Sequence, residues 1–210
     1  VTILYIETNF LIAIAKGQDA QAEILISQPP PSVRIFIPNI CYIEAISVFK
    51  IEKQARESFS KEMEKKIIEA RRDLSSNYAL SLCRNLEQAI IDNQSLLNDI
   101  ENRMSRAIDQ RITQIESIYL ENNILQNICQ SMLTQPETLL IKNDIMDNVI
   151  LQCIFEHSNR CYPQAIKAFI SGNSRDFDQP EVREALRNAG IRYFTNTQHF
   201  LSWLNSRSSS

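Results

Sequence analysis

The chain has 210 residues, 44% of them hydrophobic, and a formal net charge of −3. That length supports one domain with a full core and an appended subdomain. The charge excludes a protein that holds nucleic acid by bulk positive charge, so any nucleic-acid site must be a local basic surface. The five cysteines show no C-x-x-C pairing, which reads as reduced core thiols in a cytoplasm. The opening VTILYIETNFLIAIAKG imitates a cleavage site at AIA, but it lacks a basic start and is interrupted by Glu7 and Asn9. No segment reaches the length of a membrane span, so a cytoplasmic protein without a membrane partner is expected.

Residues 2–6 (TILYI) form an apolar run rich in strand formers, bounded by Glu7-Thr8-Asn9. FLIAIAKG then predicts a short helix capped by Thr8 or Asn9, with Gly17 just past its end. A second helix is stopped by Pro29-Pro30-Pro31, after which 33–37 reads as a buried strand. Pro38-Asn39 opens the next helix, with Glu44 in its first turns.

From Phe49 the texture changes: Gly and Pro vanish to beyond Leu133, charge becomes dense, and apolar residues recur at helical spacing. Phe59, Met63, Ile67, Ala70 and Leu74 make one stripe. Leu82, Leu86, Ile90, Asn93, Leu97, Ile100, Met104, Ile108, Ile112 and Ile115 make another. With a turn at Leu74–Asn77, the expectation is an all-helical hairpin or small bundle over 49–135, a dimerising coiled coil being the alternative. Lys65-Lys66 and Arg71-Arg72 alternate with acids and read as a solvated, ion-paired face.

After Pro136, 143–156 predicts a helix with Asp144 and Asp147 in its first turn. A strand is expected at 165–171, a helix at 180–188 closed by Gly190, and a final strand at 192–195. Thr197 caps a last helix bearing Phe200, Leu201, Trp203 and Leu204, and 206–210 reads as a disordered polar tail. His157 and His199 lack ligand-spaced partners and read as helix-surface residues. Alternating strands and helices imply a parallel, doubly wound α/β sheet whose sites form beyond the strands' carboxyl ends. Glu7, Glu44, Asp147 and Asp176 stand at such ends or helix openings, and the few bases in the same segments, Lys142 and Arg175, do not match them in number. Clustered carboxylates of that kind call for a divalent cation.

These residues resemble the PIN-domain ribonucleases. The matching pieces are Glu7-Thr8-Asn9 after a strand, Glu44 early in a helix, Asp147 heading DNVILQCIF, and Ser171-Gly172-Asn173-Ser174-Arg175-Asp176-Phe177 after a strand. Two positions depart from the family pattern: Glu7 stands where Asp is usual, and Asn173 where a fourth Asp is common. The resemblance implies a PIN-like parallel sheet flanked by helices, made of 1–48 and 136–205, with 49–135 as a helical insertion. It also implies an endoribonuclease using Mg²⁺ or Mn²⁺, with single-stranded RNA as substrate. Glu7, Glu44 and Asp147 would be the metal ligands and Asp176 would complete the catalytic pocket. Thr8, Asn9 and Ser171 would orient ligands or water, the Asn173 carbonyl could ligate, and Asp144 would ligate or cap its helix. Lys142 and Arg175, with Arg34 and Lys167, would meet the RNA backbone. A homodimer and a protein inhibitor are further partners the resemblance allows. The rival reading is a weakened PIN-like domain whose helical arm binds RNA or protein.

Overall fold

A computed structural model describes residues 1–109, 113–142 and 144–208. Five strands form one parallel sheet: β1 (Thr2–Ile6), β2 (Val33–Pro38), β3 (Ile115–Ile118), β4 (Ile166–Ile170) and β5 (Ile191–Phe194), in the order β3-β2-β1-β4-β5. The helices are α1 (Thr8–Ala15), α2 (Ala20–Ser27), α3 (Ile40–Ala70), α4 (Asn77–Ile108), α5 (Asn122–Thr134), α6 (Ile145–Cys161), α7 (Ser174–Phe177), α8 (Pro180–Asn188) and α9 (Thr197–Ser208), with a 3₁₀ turn at Pro136–Thr138.

Every residue of β1 is buried. A central parallel strand is covered on both faces, so it reads as a continuous apolar run rather than an alternation. The chain winds outward from β1 through β2 to β3, then returns to lay β4 on the other side of β1. That reversal puts the switch point, where open α/β sheets hold ligands, between the carboxyl ends of β1 and β4. Glu7 follows β1 directly and Ser171 follows β4 directly.

The segment 49–135 is not all-helical and does not begin at 49. Ile115, assigned by spacing to the end of a helical stripe, instead opens the edge strand β3, whose residues 115–118 pair with Ile35–Pro38. Ile115 and Ile118 are buried, one from each face of the strand. Ile112 of the same stripe lies outside the described residues. α3 runs unbroken through the expected boundary, and the lower half of α4 joins the main core through Ile100, Met104 and Ala107. Arg103 Nε also donates to the Ala15 carbonyl at 2.8 Å, tying α4 to α1. Only the outer part of the α3–α4 hairpin projects.

There the stripes are partly as expected. Ile67 and Cys83 are buried, but Phe59, Leu82 and Leu74 are exposed, Leu74 lying beyond the end of α3. Asp73 closes the turn by accepting from Ser75 and Ser76, and Ser76 caps α4 by accepting from the Ala79 N–H. Lys65, Lys66 and Arg71 pair with Glu62, Glu69 and Glu87, as a solvated face should.

Smaller differences follow from local chemistry. α6 continues to Cys161, beyond the expected end at 156, because nothing in Glu156–Arg160 breaks a helix; Asn143 lies outside the described residues. α9 runs to Ser208, taking in the first residues of the expected tail, and 209–210 lie outside the described residues. Asn196, not Thr197, caps α9: its Oδ1 accepts from the His199 N–H at 2.9 Å, while the Thr197 hydroxyl is buried without a partner. His157 is not a surface residue. Its Nδ1 shares a hydrogen bond of 3.1 Å with the Tyr5 hydroxyl, and its ring packs 4.7 Å from Phe36. No helix among the described residues is long and apolar enough to cross a membrane.

Candidate active site

Glu7 is placed by the abrupt passage from β1 to α1. It caps α1 itself, in place of the expected Thr8 or Asn9, its Oε2 accepting from the Asn9 N–H at 2.6 Å. The residue is 0% exposed, and among the described residues its Oε1 has no hydrogen-bond partner. Burial pushes its pKa up to about 8; the Asn9 N–H and nearby Ser171 hydroxyl oppose this, while Asp147 and Glu44 add to it. A buried, unpartnered carboxylate oxygen is costly to leave so.

Glu44 comes from the first turns of α3, which Asn39 anchors by accepting from the Leu120 N–H at 3.2 Å. The Thr8 hydroxyl donates a short hydrogen bond to Glu44 Oε2, fixing this carboxylate beside α1. Burial raises its pKa; the Thr8 bond lowers it and Asp144 raises it further.

Asp147 occupies the first turn of α6. Asp144 is the helix cap, its Oδ1 accepting from the Asp147 N–H at 3.0 Å. Asn148 locks the preceding segment, exchanging bonds of 3.2 and 2.6 Å with the backbone of Ile141. Asp147 is 5% exposed, and burial, followed by Asp144, Glu44 and Asp176, raises its pKa to about 7. Asn173 donates from Nδ2 to Asp147 Oδ2 at 3.2 Å, so the residue standing where an acid is common serves as a donor to one. Ser171 is fully buried, its hydroxyl accepting from the Asn173 N–H at 3.0 Å. Asp176, half-buried on α7, bears on Asp147 from the other side.

Thus Glu7 feels Asp147 and Glu44, and Asp147 feels Asp144, Glu44 and Asp176, although these acids come from four stretches far apart in sequence. Among the described residues no Lys or Arg pairs with Glu7, Glu44 or Asp147. Nor do any three His, Cys, Asp or Glu side chains among them stand close enough to hold an ion as placed. Thr8, Asn9 and Asn173 hold the three main carboxylates on separate bonds. The all-oxygen donors and the orphaned Glu7 Oε1 nonetheless suit a small hard cation.

Of the basic residues expected near the site, Lys142 and Arg175 line a cleft of about 560 Å³ together with Asp176. Arg34 and Lys167 do not: both are level with Ile3, near the amino ends of their strands. Arg34 is engaged by Glu116 through bonds of 2.8 and 2.6 Å. Two neighbours of the site escape sequence reasoning. Cys41 is buried against Thr8, Glu7 and Glu44, burial first and then the two acids holding its thiol well above its usual pKa. Tyr193 donates its hydroxyl to the Ser171 carbonyl at 2.9 Å. Helical phase three residues before Glu44 could have flagged Cys41; only the fold brings Tyr193 in.

A family model of the PIN domain matches residues 4–177. No curated protein and no solved structure matches the chain.

Proposed function

The chain belongs to the PIN-domain family, and we propose that it is an endoribonuclease that hydrolyses phosphodiester bonds of single-stranded RNA with Mg²⁺ or Mn²⁺. PIN domains are in general nucleases and typically use divalent ions; the choice of RNA, the ion and the residues that hold it are our reading. The observation that carries it is the fully buried Glu7, with one oxygen unpartnered and no cation paired to it among the described residues, electrically coupled to Asp147 and Glu44.

Glu7, Glu44 and Asp147 would hold the ion, directly or through water, with Asp176 completing the pocket. A bound ion would activate an attacking water and offset charge on the leaving oxygen. The chain's own groups prepare for this. Thr8 fixes the Glu44 carboxylate, Asn9 fixes one Glu7 oxygen and leaves the other free to turn inward, and Asn173 orients Asp147. Asp144 aims Asp147 by capping its helix. Lys142 and Arg175 in the adjoining cleft would contact backbone phosphates. We place the chain in the cytoplasm on its five free thiols. A second copy or a protein inhibitor as partner rests on the family resemblance alone.

Two observations favour the rival: no three carboxylates are gathered as placed among the described residues, and Glu7 and Asn173 both depart from the family pattern. In that reading the domain binds RNA or protein and does not cut. Crystals soaked in Mn²⁺ distinguish the two. Anomalous density between Glu7 and Asp147 is expected, and a pocket without it at saturating Mn²⁺ contradicts the nuclease reading.

A further inference from the structure

Lys167 crosses β4 level with Ile3 and Ile191, at the amino end of the sheet. It is 5% exposed and forms no ion pair among the described residues. Burial alone lowers its pKa, the response of an ammonium given no counter-charge. Its Nζ lies 3.7 Å from where a Cβ would stand at Gly190. Gly190 has φ of +72°, a conformation a side chain would strain, so this wall stays bare.

Gly190 also forms one wall of a cavity of about 380 Å³ between α8 and the outer edge of β5. Arg183, Arg187, Arg192 and Tyr193 line it too. Arg183 is paired with Asp178, and Arg192 lies over Phe194 and Trp203 at 5.5 Å. Arg187, like Lys167, has no carboxylate partner among the described residues. Arg187 stands in the cavity lining without an acid, and the buried Lys167 ammonium lies just behind the bare Gly190 wall, an arrangement that an anion would complete. Tyr193 joins this cavity to the carboxylate pocket: its hydroxyl bonds the Ser171 carbonyl, and both Glu7 and Arg183 act on it.

We propose that the cavity between α8 and β5 binds a phosphate group, supplied by the RNA backbone at a nucleotide removed from the bond that is cut. This rests on the nuclease reading above. The strand would run from the carboxylate pocket past Tyr193 along the β5 edge, with Arg187 and Lys167 neutralising a phosphate there. A free phosphate would satisfy the same chemistry, so the test separates the two sources.

The full chain is titrated in EDTA with a labelled single-stranded RNA of about 12 nucleotides, within the usual range of single-strand site sizes, over a range of salt. For Arg187→Gln the expected result is affinity about fivefold weaker and a log K against log salt slope shallower by about 0.7, the value for one lost phosphate contact on a single strand. Lys167→Met should add a second such loss, and Arg187→Lys should restore the first. Lys65→Gln, on the ion-paired arm, should leave the slope unchanged. Arg187 is exposed, so Arg187→Gln carries the test if Lys167→Met fails to fold. An unchanged slope in Arg187→Gln, or wild-type protein that binds no RNA, overturns the proposal. Inorganic phosphate binding that Arg187→Gln abolishes, with RNA binding unaltered, overturns the backbone assignment in favour of a free phosphate. Because no metal is present, failure of the nuclease reading shows as lost cleavage with this binding signature intact.

Discussion

Glu7 loses all contact with solvent while one of its oxygens keeps no partner, so its protonation state bears on stability as well as chemistry. Its pKa rises from 4.5 to about 8 on folding, and that of Asp147 from 3.8 to about 7. A carboxyl group with a raised folded pKa binds its proton more tightly in the folded chain. Its contribution is fully present below about pH 4 and is lost as pH rises through about 7 and 8. The metal-free protein should therefore melt a few degrees higher at pH 5 than at pH 8. Mn²⁺ should narrow that gap, because it binds the deprotonated groups. Glu7→Gln should flatten the pH dependence and remove the response to Mn²⁺; equal melting temperatures at both pH values would count against the buried-carboxylate account. Glu7→Asp, one methylene shorter, should preserve or raise cleavage in a single-turnover assay, since it restores the acid usual at this position. These acids were legible in the sequence because each interrupts or abuts an apolar run. Cys41 and Tyr193 were not, since their relation to Glu7 is made by helix phase and by a strand at the far edge of the sheet.

Among elements, the strands that stood out were those whose apolar runs are bounded by Pro or by polar turns, such as β1 and β2. β3 did not, because Ile108, Ile112 and Ile115 continue a three-and-four spacing, and Ile115 and Ile118, the two buried residues of the strand, prolong it by another three. The α3–α4 hairpin follows the same logic. Its helical character shows in the stripes, but its attachment does not, because Ile100 and Met104 look alike whether they face α3 or the main core. Excising 62–88 and closing the hairpin with a short turn should leave a folded chain. Removing 49–135 should not, since it strips β3 from the sheet and Ile100, Met104 and Ala107 from the core. Circular dichroism and thermal melting check both. Within the arm, Asn93 donates to the Arg56 carbonyl and Ser60 hydroxyl at 3.0 Å and accepts from Arg56 Nη1 at 3.0 Å. Such a polar group at a helix seam sets register. Asn93→Ala should cost about 1 kcal/mol, read by urea denaturation.

Over the whole molecule, the order β3-β2-β1-β4-β5 brings separate stretches of sequence to the switch point, where the proposed pocket lies. Alternating elements announced a parallel sheet, but not which strands adjoin; β1 beside β4 is a property of the closed core. The central claim is that this pocket cuts RNA with a divalent ion held by Glu7, Glu44 and Asp147. The most direct measurement is cleavage of a single-stranded RNA by the purified full chain with Mn²⁺, with EDTA, and by Asp147→Asn with Mn²⁺. Cleavage with Mn²⁺ should vanish in EDTA and fall by about two orders of magnitude or more in Asp147→Asn, with melting preserved, as loss of a charged ligand to the ion requires. Cleavage unaffected by EDTA, or equal in wild type and Asp147→Asn, would contradict it.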